Sequence, residues 1–192
     1  KRISDPLSKF GVRFKLKNKK NLPLTIYGSK YLKPINFYEK RGSAQCKSAV
    51  IFAGMRTEGL TLIKAKKSRN HTELMSKILK LPISIKKRKN YDEIKVKKVK
   101  KIPVLNYNIP SDISSSAFFI VLTALSQKSK LIIKNVNINE TRIGILTILK
   151  KMGITIKLNN IKNYKNEKIS DIYVQSSNSI KPINCPAKLN SG

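Results

Sequence analysis

Cysteine, histidine and long apolar runs are all scarce in this sequence of 192 residues. The two cysteines, Cys46 and Cys185, are too few for a disulfide framework or a zinc cage. We expect both thiols to be small buried groups in a reducing cytoplasm. The single histidine, His71, has no second histidine with which to bind a metal, so we predict a structural role for it and no metal site. No segment reaches the roughly 18 uninterrupted apolar residues of a membrane span, and no signal-peptide pattern is present.

Acidic residues are also scarce, with 10 Asp and Glu against 41 Lys and Arg and a formal net charge of +31. Three interpretations stay open: attraction of nucleic acid, steering of small anions, or the Lys-rich composition that an AT-rich genome produces. The lysines are spread along the whole chain, which favours the last two. In EIKVKKV (93–99) lysines alternate with apolar residues, which predicts the exposed face of a strand. No aromatic and basic signature of an RNA-binding domain is present.

The few carboxylates do not suggest an acid–base pair. Glu73, Asp112, Glu140 and Asp171 lie at predicted helix starts or strand ends, and no two of them are spaced for general acid–base catalysis. The serine run 114–116 is predicted to allow close helix packing rather than to supply a nucleophile. We therefore assign no catalytic residue within this chain.

An internal repeat of about 70 residues organises the chain. Segments 60–86 and 131–157 both read as strand, polar loop, amphipathic helix and strand. A partial third copy opens the chain, since 7–16 is similar to 149–158. The repeat predicts βαβαββ units that pack their helices beneath a layer of sheet. Because the copies at both ends look incomplete, we expect the chain to be part of a longer protein.

Four predicted helices begin after a small polar residue of the type that caps helices: Ser43, Thr72, Asp112 and Thr141. A helix N-terminus also presents free N–H groups and a positive dipole end, which favour a bound anion by about 0.3–2 kcal/mol. Capping explains Ser43 but leaves the amide of the neighbouring Gln45 unexplained.

Two of these helix starts carry further side chains that suit an anion. Gln45 adds an amide to the Ser43 hydroxyl, and the later loop adds a hydroxyl from Ser68 and a bidentate guanidinium from Arg69. This set predicts a site for a polar, anionic small molecule, with plain capping as the open alternative.

Four segments in a fixed order closely resemble EPSP synthase, the 3-phosphoshikimate 1-carboxyvinyltransferase family. They are GSAQCKSAVIFAGMRTEG (42–59), SRNHTELM (68–75), IPSDISSSAFFIVLTAL (109–125) and NETRIGILTILKKMG (139–153). The resemblance implies an α/β (α+β) fold of enolpyruvyl-transferase-like βαβαββ repeats, in two domains that the chain covers only partly. Residues 1–104 would be part of the domain that binds shikimate 3-phosphate, and residues 105–192 part of the second domain.

The same resemblance implies an activity. The family transfers the enolpyruvyl group of phosphoenolpyruvate to the 5-hydroxyl of shikimate 3-phosphate in chorismate and aromatic amino-acid biosynthesis, and it uses no metal or organic cofactor. The implied partners are these two small molecules, with no nucleic acid and no membrane, and we expect a cytoplasmic monomer. Both substrates are polyanions, so basic residues around the cleft would raise the rate of association.

The resemblance also assigns binding residues. Ser43, Ala44 and Gln45 match the Ser-Ala-Gln that contacts shikimate 3-phosphate, and the glutamine also touches phosphoenolpyruvate. Arg69 matches an arginine that helps to bind the shikimate phosphate, while Asn70 replaces an aspartate and receives no contact. The family's catalytic Asp, Lys and Arg would lie outside 1–192, so we expect activity of the full-length protein and none of this chain alone. Alternatives are a basic nucleic-acid-binding protein or a non-catalytic remnant of the fold.

Overall fold

Two compact units, residues 1–104 and 105–192, divide the chain in the computed structural model, and each is described by itself. The structure describes residues 2–18 and 21–185. Each unit has its own cluster of buried apolar side chains, and each combines helices with sheet. The assignment of these units to particular substrates stays a prediction.

The first unit contains two antiparallel strands followed by a four-stranded mixed sheet. The elements are α1 (Ser4–Lys9), β1 (Arg13–Lys17), β2 (Asn21–Tyr27), β3 (Asn36–Glu39), α2 (Ala44–Met55), β4 (Leu60–Lys66), α3 (His71–Ile78), β5 (Ile83–Lys87) and β6 (Tyr91–Lys97). The strand order of the larger sheet is β3-β4-β6-β5, with β3 parallel to β4 and the other pairs antiparallel.

Alternation along β6 shows why this segment forms a strand. Ile94 and Val96 are buried, whereas Lys95 and Lys97 between and beyond them are exposed. Successive strand side chains point to opposite faces, so this pattern leaves one apolar face for the core and one charged face for water. The prediction that these lysines form the exposed face of a strand is confirmed.

Helix α2 covers the apolar face of this sheet. Its Val50, Ile51 and Met55 are at most 3% exposed and pack in the core of the first unit. Gly54 lies on the same side, where a Cβ atom would stand 3.1 Å from Thr61 Cβ and 3.2 Å from Val96 Cγ1. The absence of a side chain at this position therefore lets the helix backbone approach β4 and β6 closely.

The second unit repeats the order of elements seen in the first. It contains α4 (Ile113–Leu125), β7 (Lys130–Asn137), α5 (Gly144–Lys151), β8 (Thr155–Tyr164) and β9 (Glu167–Gln175), with antiparallel strand order β7-β9-β8. Ser111 forms a parallel bridge to Val136, at the place where β3 pairs with β4 in the first unit. The βαβαββ repeat predicted from the sequence is thus observed as an order of elements.

Helices of the second unit bury their apolar residues against the β7-β9-β8 sheet. Ile120 of α4 and Ile172 and Val174 of β9 are fully buried, and Leu146 and Leu149 of α5 join the same core. Helix α4 has 13 residues. Among residues 2–18 and 21–185, no helix has the length and apolar character needed to cross a membrane.

Two strands bulge beside the central strand β9, and one carboxylate accepts hydrogen bonds from both. The pairing register shifts between Ile133 and Val136 on β7, and between Asn159 and Lys162 on β8. Asp171 of β9 accepts from the backbone N–H of Asn135 at 2.9 Å and from the side-chain amide of Asn160 at 2.8 Å. Both asparagines have positive φ, 52° and 53°, a left-handed conformation that asparagine tolerates better than most residues.

Several local predictions are wrong in detail. Thr72 lies inside α3, which begins at His71, and α5 begins at Gly144 rather than after Thr141. Asp171 lies within β9 instead of at a strand end. Cys46 is buried as expected, but Cys185 is exposed.

Candidate functional site

The start of α2 is shaped by a capping serine. Ser43 precedes the helix in an extended conformation, and its Oγ accepts a hydrogen bond from Cys46 N at 3.3 Å. Its carbonyl accepts from Lys47 N at 3.0 Å, the first bond of the helix proper. The N–H groups of Ala44 and Gln45, in the first turn, have no carbonyl within the helix to bond, and the Gln45 side chain is exposed. This end of α2 therefore offers backbone donors together with an amide.

A buried carboxylate stabilises the turn that leads into α2. Glu39, at the end of β3 and 3% exposed, accepts from Arg41 N at 3.0 Å and from Gly42 N at 2.6 Å. Gly42 has φ +74°, and a Cβ there would stand 3.2 Å from the carbonyl oxygen of Lys67. A glycine is needed at this point because the turn is left-handed and lies directly against the loop that follows β4.

The loop after β4 is joined to the first turn of α2 through a buried lysine. Lys47 is 1% exposed, and its Nζ donates to the carbonyl oxygen of Arg69 at 2.9 Å. The same Nζ lies 2.6 Å from Glu73 Oε1 of α3, whose side chain is 6% exposed. Next to this pair, the hydroxyl oxygens of Ser48 in α2 and Thr72 in α3 are 2.6 Å apart. The two helix starts are therefore linked by three polar contacts.

All four predicted binding residues lie at these two linked helix starts. Ser43, Ala44 and Gln45 form the first, and Arg69 belongs to the loop of the second. The neighbouring Ser68 Oγ is buried and, among the described residues, has no hydrogen-bond partner. A buried hydroxyl without a partner is costly, so it is a candidate to bond a ligand or an ordered water.

A basic cleft with a volume of about 220 Å³ is lined by Ser43, although its lining does not include the other three predicted binding residues. Its lining includes four cationic and two anionic side chains, namely Arg2, Lys9, Lys40, Arg41, Asp5 and Glu39. Glu39 directs its carboxylate to the backbone of the α2 turn, so much of its charge is already satisfied there. The remaining side-chain charge in this cleft is positive, so the cleft favours an anion over a cation.

Cys46 also lines the cleft but is unsuited to nucleophilic chemistry. Burial, followed by the nearby charge of Glu39, raises the pKa of its thiol above the ordinary value. The nucleophilic species is the thiolate, so a raised pKa keeps this group unreactive near neutral pH. The geometry of the site thus supports binding, and it assigns no covalent step to the cysteine.

Sequence reasoning missed the two charged residues that join the helix starts. Lys47 was hidden in the run CKSAVIFAGM, although its spacing from Val50, Ile51 and Gly54 places it on the buried face of α2. For Glu73 the sequence predicts only an acidic residue at a helix start. A charge on the apolar face of one helix and an opposite charge near the start of the next was the available signal for a buried pair.

Comparison with known proteins decides the family. A family model described as EPSP synthase (3-phosphoshikimate 1-carboxyvinyltransferase) matches residues 1–188. The chain belongs to the EPSP synthase family. The recognition from four sequence segments is therefore confirmed.

Relatives in the EPSP synthase family are similar over nearly the whole chain. A 3-phosphoshikimate 1-carboxyvinyltransferase of Caldicellulosiruptor bescii is 42% identical over 184 residues, which cover 93% of this chain and 41% of that protein. The solved structure of EPSP synthase from Acinetobacter baumannii is 33% identical, with a TM-score of 0.76 over 98% of this chain and 42% of its own. The chain thus spans about two fifths of these EPSP synthases.

A more distant structure shares the fold. The enolpyruvyl transferase NikO from Streptomyces tendae has a TM-score of 0.67 at 12% identity, over 92% of this chain and 42% of its own. Together with the EPSP synthase match, it confirms the predicted enolpyruvyl-transferase-like α/β fold.

Proposed function

We propose that this chain supplies part of the substrate site of an enzyme that makes 5-enolpyruvylshikimate 3-phosphate. In this reaction the 5-hydroxyl oxygen of shikimate 3-phosphate takes the enolpyruvyl group of phosphoenolpyruvate, and inorganic phosphate leaves. The observation that carries the proposal is the joining of two helix starts, each bearing anion-binding groups, in a chain of the EPSP synthase family.

Each proposed binding residue has a chemical role that its position supports. Ser43 and Gln45 offer a hydroxyl and an amide to the hydroxyl groups of shikimate 3-phosphate, and Ala44 offers its backbone N–H. Gln45 also contacts phosphoenolpyruvate in this proposal. Arg69 offers a guanidinium that can bind phosphate through two parallel hydrogen bonds. One helix end stabilises an anion by only about 0.3–2 kcal/mol, so the side chains are needed for tight binding.

The basic cleft suits the charge of the substrates. Shikimate 3-phosphate carries a phosphate and a carboxylate, and so does phosphoenolpyruvate, so cationic side chains near Ser43 would raise the rate of association by about 10–10³. In this proposal residues 1–104 belong to the domain that binds shikimate 3-phosphate, and residues 105–192 to the second domain. We further propose a cytoplasmic monomer that requires neither metal nor organic cofactor and binds no nucleic acid or membrane.

The test is a coupled assay of phosphate release on the protein expressed from its complete reading frame. We expect release only when both shikimate 3-phosphate and phosphoenolpyruvate are present. Gln45→Ala should lower kcat, since the amide contacts both substrates. Arg69→Ala should mainly raise the KM for shikimate 3-phosphate, by about tenfold or more, because a hydrogen bond to a charged group contributes about 1.5–3 kcal/mol.

Arg56→Ala is the matched control, because Arg56 is an exposed arginine at the opposite end of α2. It should leave both kinetic constants close to those of the wild type. Absence of phosphate release from a well-folded wild type would reject the proposal, as would unchanged kinetics in both site variants. Salt-sensitive retention on DNA that shikimate 3-phosphate does not reduce would favour the nucleic-acid alternative instead.

A further inference from the structure

The most unusual charges in the first unit are a lysine and a glutamate buried between two helices. Lys47 is 1% and Glu73 6% exposed, with 2.6 Å between Nζ and Oε1. The lysine also donates to the backbone carbonyl of Arg69 at 2.9 Å. Glu73 Oε2 is buried and has no hydrogen-bond partner among the described residues, so the pair is only partly satisfied.

Such a buried pair is not expected to add much to the stability of the fold. Removing two charges from water costs several kcal/mol per ion, and apolar residues of similar volume often serve the fold as well or better. A pair with one unpartnered carboxylate oxygen recovers even less of that cost. An apolar pair could not donate a hydrogen bond to the Arg69 carbonyl, whereas the Lys47 ammonium does so at 2.9 Å.

The loop that contains Arg69 is held against both helices through backbone carbonyls, and the contact from α2 is the one that Lys47 makes. Residues 67–70 lie between the end of β4 and the start of α3, outside regular structure. Asn70 occupies the cap position of α3, and its carbonyl accepts from Leu74 N at 3.0 Å. The Lys47 ammonium reaches this backbone from the first turn of α2, one turn from Ser43.

We propose that Lys47 is a positioning residue, with Glu73 fixing its ammonium, that holds the Arg69 backbone against the start of α2. The start of α2 and the loop that contains Arg69, which form the proposed shikimate 3-phosphate site, would then stay at a fixed distance from each other before substrate binds. The inference rests on the proposed function, since it assigns the pair to preparation of that site. Pre-organisation of this kind lowers the cost of ordering the site when substrate binds, so its loss should appear in the KM for shikimate 3-phosphate.

The test separates positioning from stability by comparing variants of the protein from its complete reading frame. Lys47→Met leaves a buried carboxylate unpaired, so it should lower the melting temperature sharply. The double variant Lys47→Met/Glu73→Met removes both charges, and the Ser48–Thr72 bond still links the helices. We expect it to melt near the wild-type temperature but to raise the KM for shikimate 3-phosphate about tenfold, with kcat within about twofold. Tenfold corresponds to about 1.4 kcal/mol.

A surface variant of the same helix is the control for this expectation. Lys77→Met removes an exposed lysine from the same helix and should change neither KM nor melting temperature. Amide hydrogen exchange at residues 68–70 should accelerate in the double variant and not in Lys77→Met.

A double variant with wild-type KM and wild-type exchange at 68–70 would overturn the inference while leaving the proposed function intact. A double variant that does not fold would overturn it too, because the pair would then be a stability element. If the wild type itself releases no phosphate, the proposed function fails separately. The exchange measurement still decides whether Lys47 holds the loop, since it needs no activity.

Discussion

At the scale of single residues, Asp171 shows how one carboxylate can determine the shape of two strands. It accepts from Asn135 N and from the Asn160 amide, and Lys134 Nζ lies 3.1 Å from its Oδ2. Each bond reaches the strand at or beside a residue with positive φ. These hydrogen bonds, led by that from Asn135 N–H, lower the pKa of Asp171 from 3.8 to about 2. The ionised carboxylate of Asp171 therefore stabilises the bulges in β7 and β8.

Asp171→Asn should destabilise the second unit near neutral pH, because an amide has one acceptor oxygen where the carboxylate has two. A depressed pKa contributes stability that is present above the unfolded-state value of 3.8 and is lost as the pH falls through about 2. The difference between wild type and variant should thus be largest above about pH 4 and should shrink towards pH 2. Urea unfolding midpoints measured across this range provide the check.

Glu140→Gln is the control for this experiment. Glu140 is an exposed carboxylate of the same unit, 81% accessible, whose contact with Lys168 is a surface pair of little energetic weight. Its substitution should leave the midpoint nearly unchanged at every pH. A constant difference between wild type and Asp171→Asn from pH 7 to pH 2 would contradict the role given to the ionised carboxylate.

Predictability from sequence also varies at the residue scale. Ser43 and Asp112 were identifiable as helix caps, because capping depends on a short side chain and its own next three residues. Lys47 and Glu73 were not, since their pairing depends on how two helices separated by β4 pack together. The binding roles of Gln45 and Arg69 came from family resemblance, and they remain predictions.

At the scale of elements, the repeat made the order of helices and strands predictable, while element boundaries depended on local bonds. The start of α5 is the clearest example. The side-chain carbonyl of Asn139 accepts from both N and Oγ1 of Thr141, at 2.9 and 2.7 Å. Thr141 is thereby held in a turn before the helix, which begins only at Gly144. Capping preference alone cannot show that a preceding asparagine competes for the threonine.

At the scale of elements, the close packing of α2 on its sheet leads to a prediction about Gly54. Gly54→Val should lower the free energy of unfolding of the first unit by about 1–3 kcal/mol, the usual cost of overpacking a core. Its Cβ would meet Thr61 Cβ and Val96 Cγ1 at 3.1 and 3.2 Å, and Thr61 and Val96 are both essentially buried. The helix would have to move away from β4 and β6. Chemical denaturation followed by circular dichroism measures the loss.

Phe52→Val is the matched control on the same helix. Phe52 is 56% exposed, and phenylalanine and valine have similar helix propensities, so this substitution tests the helix without touching the packed face. A change within about 0.5 kcal/mol is expected, as for most surface substitutions. If Gly54→Val changed the free energy of unfolding as little as Phe52→Val, the close approach of α2 to the sheet would not depend on a glycine at position 54.

At the scale of the whole molecule, the charge of +31 is spread over strand faces as well as the cleft. Lys64 of β4 and Lys95 and Lys97 of β6 are exposed beside buried apolar neighbours. The composition was therefore a poor guide to a binding surface. The cleft beside Ser43 became identifiable only once α1, β3 and α2 were placed together.

The division into two units leads to a prediction about proteolysis. Beyond Val99, which is 8% exposed and whose N–H bonds Met55 O, residues 100–104 are exposed and outside regular structure. Two lysines, Lys100 and Lys101, lie in this stretch, whereas those on β4 and β6 are protected by ladder hydrogen bonds. Proteases need an extended, unpaired backbone, so limited trypsin digestion should cut after Lys100 or Lys101 before it cuts within the β3-β4-β6-β5 or the β7-β9-β8 sheet.

Mass spectrometry of the first products would identify the cut, with Ile102 or Lys101 at the new N-terminus. Substituting both lysines by glutamine should remove this product and slow digestion of the described part of the chain. Earlier cleavage after Lys64 or Lys95 would show that the sheet of the first unit opens more readily than the connection after Val99. The same digest of residues 1–104 and 105–192, each expressed alone, tests whether each core is sufficient for folding, and we expect both to resist cleavage at β4, β6 and β9.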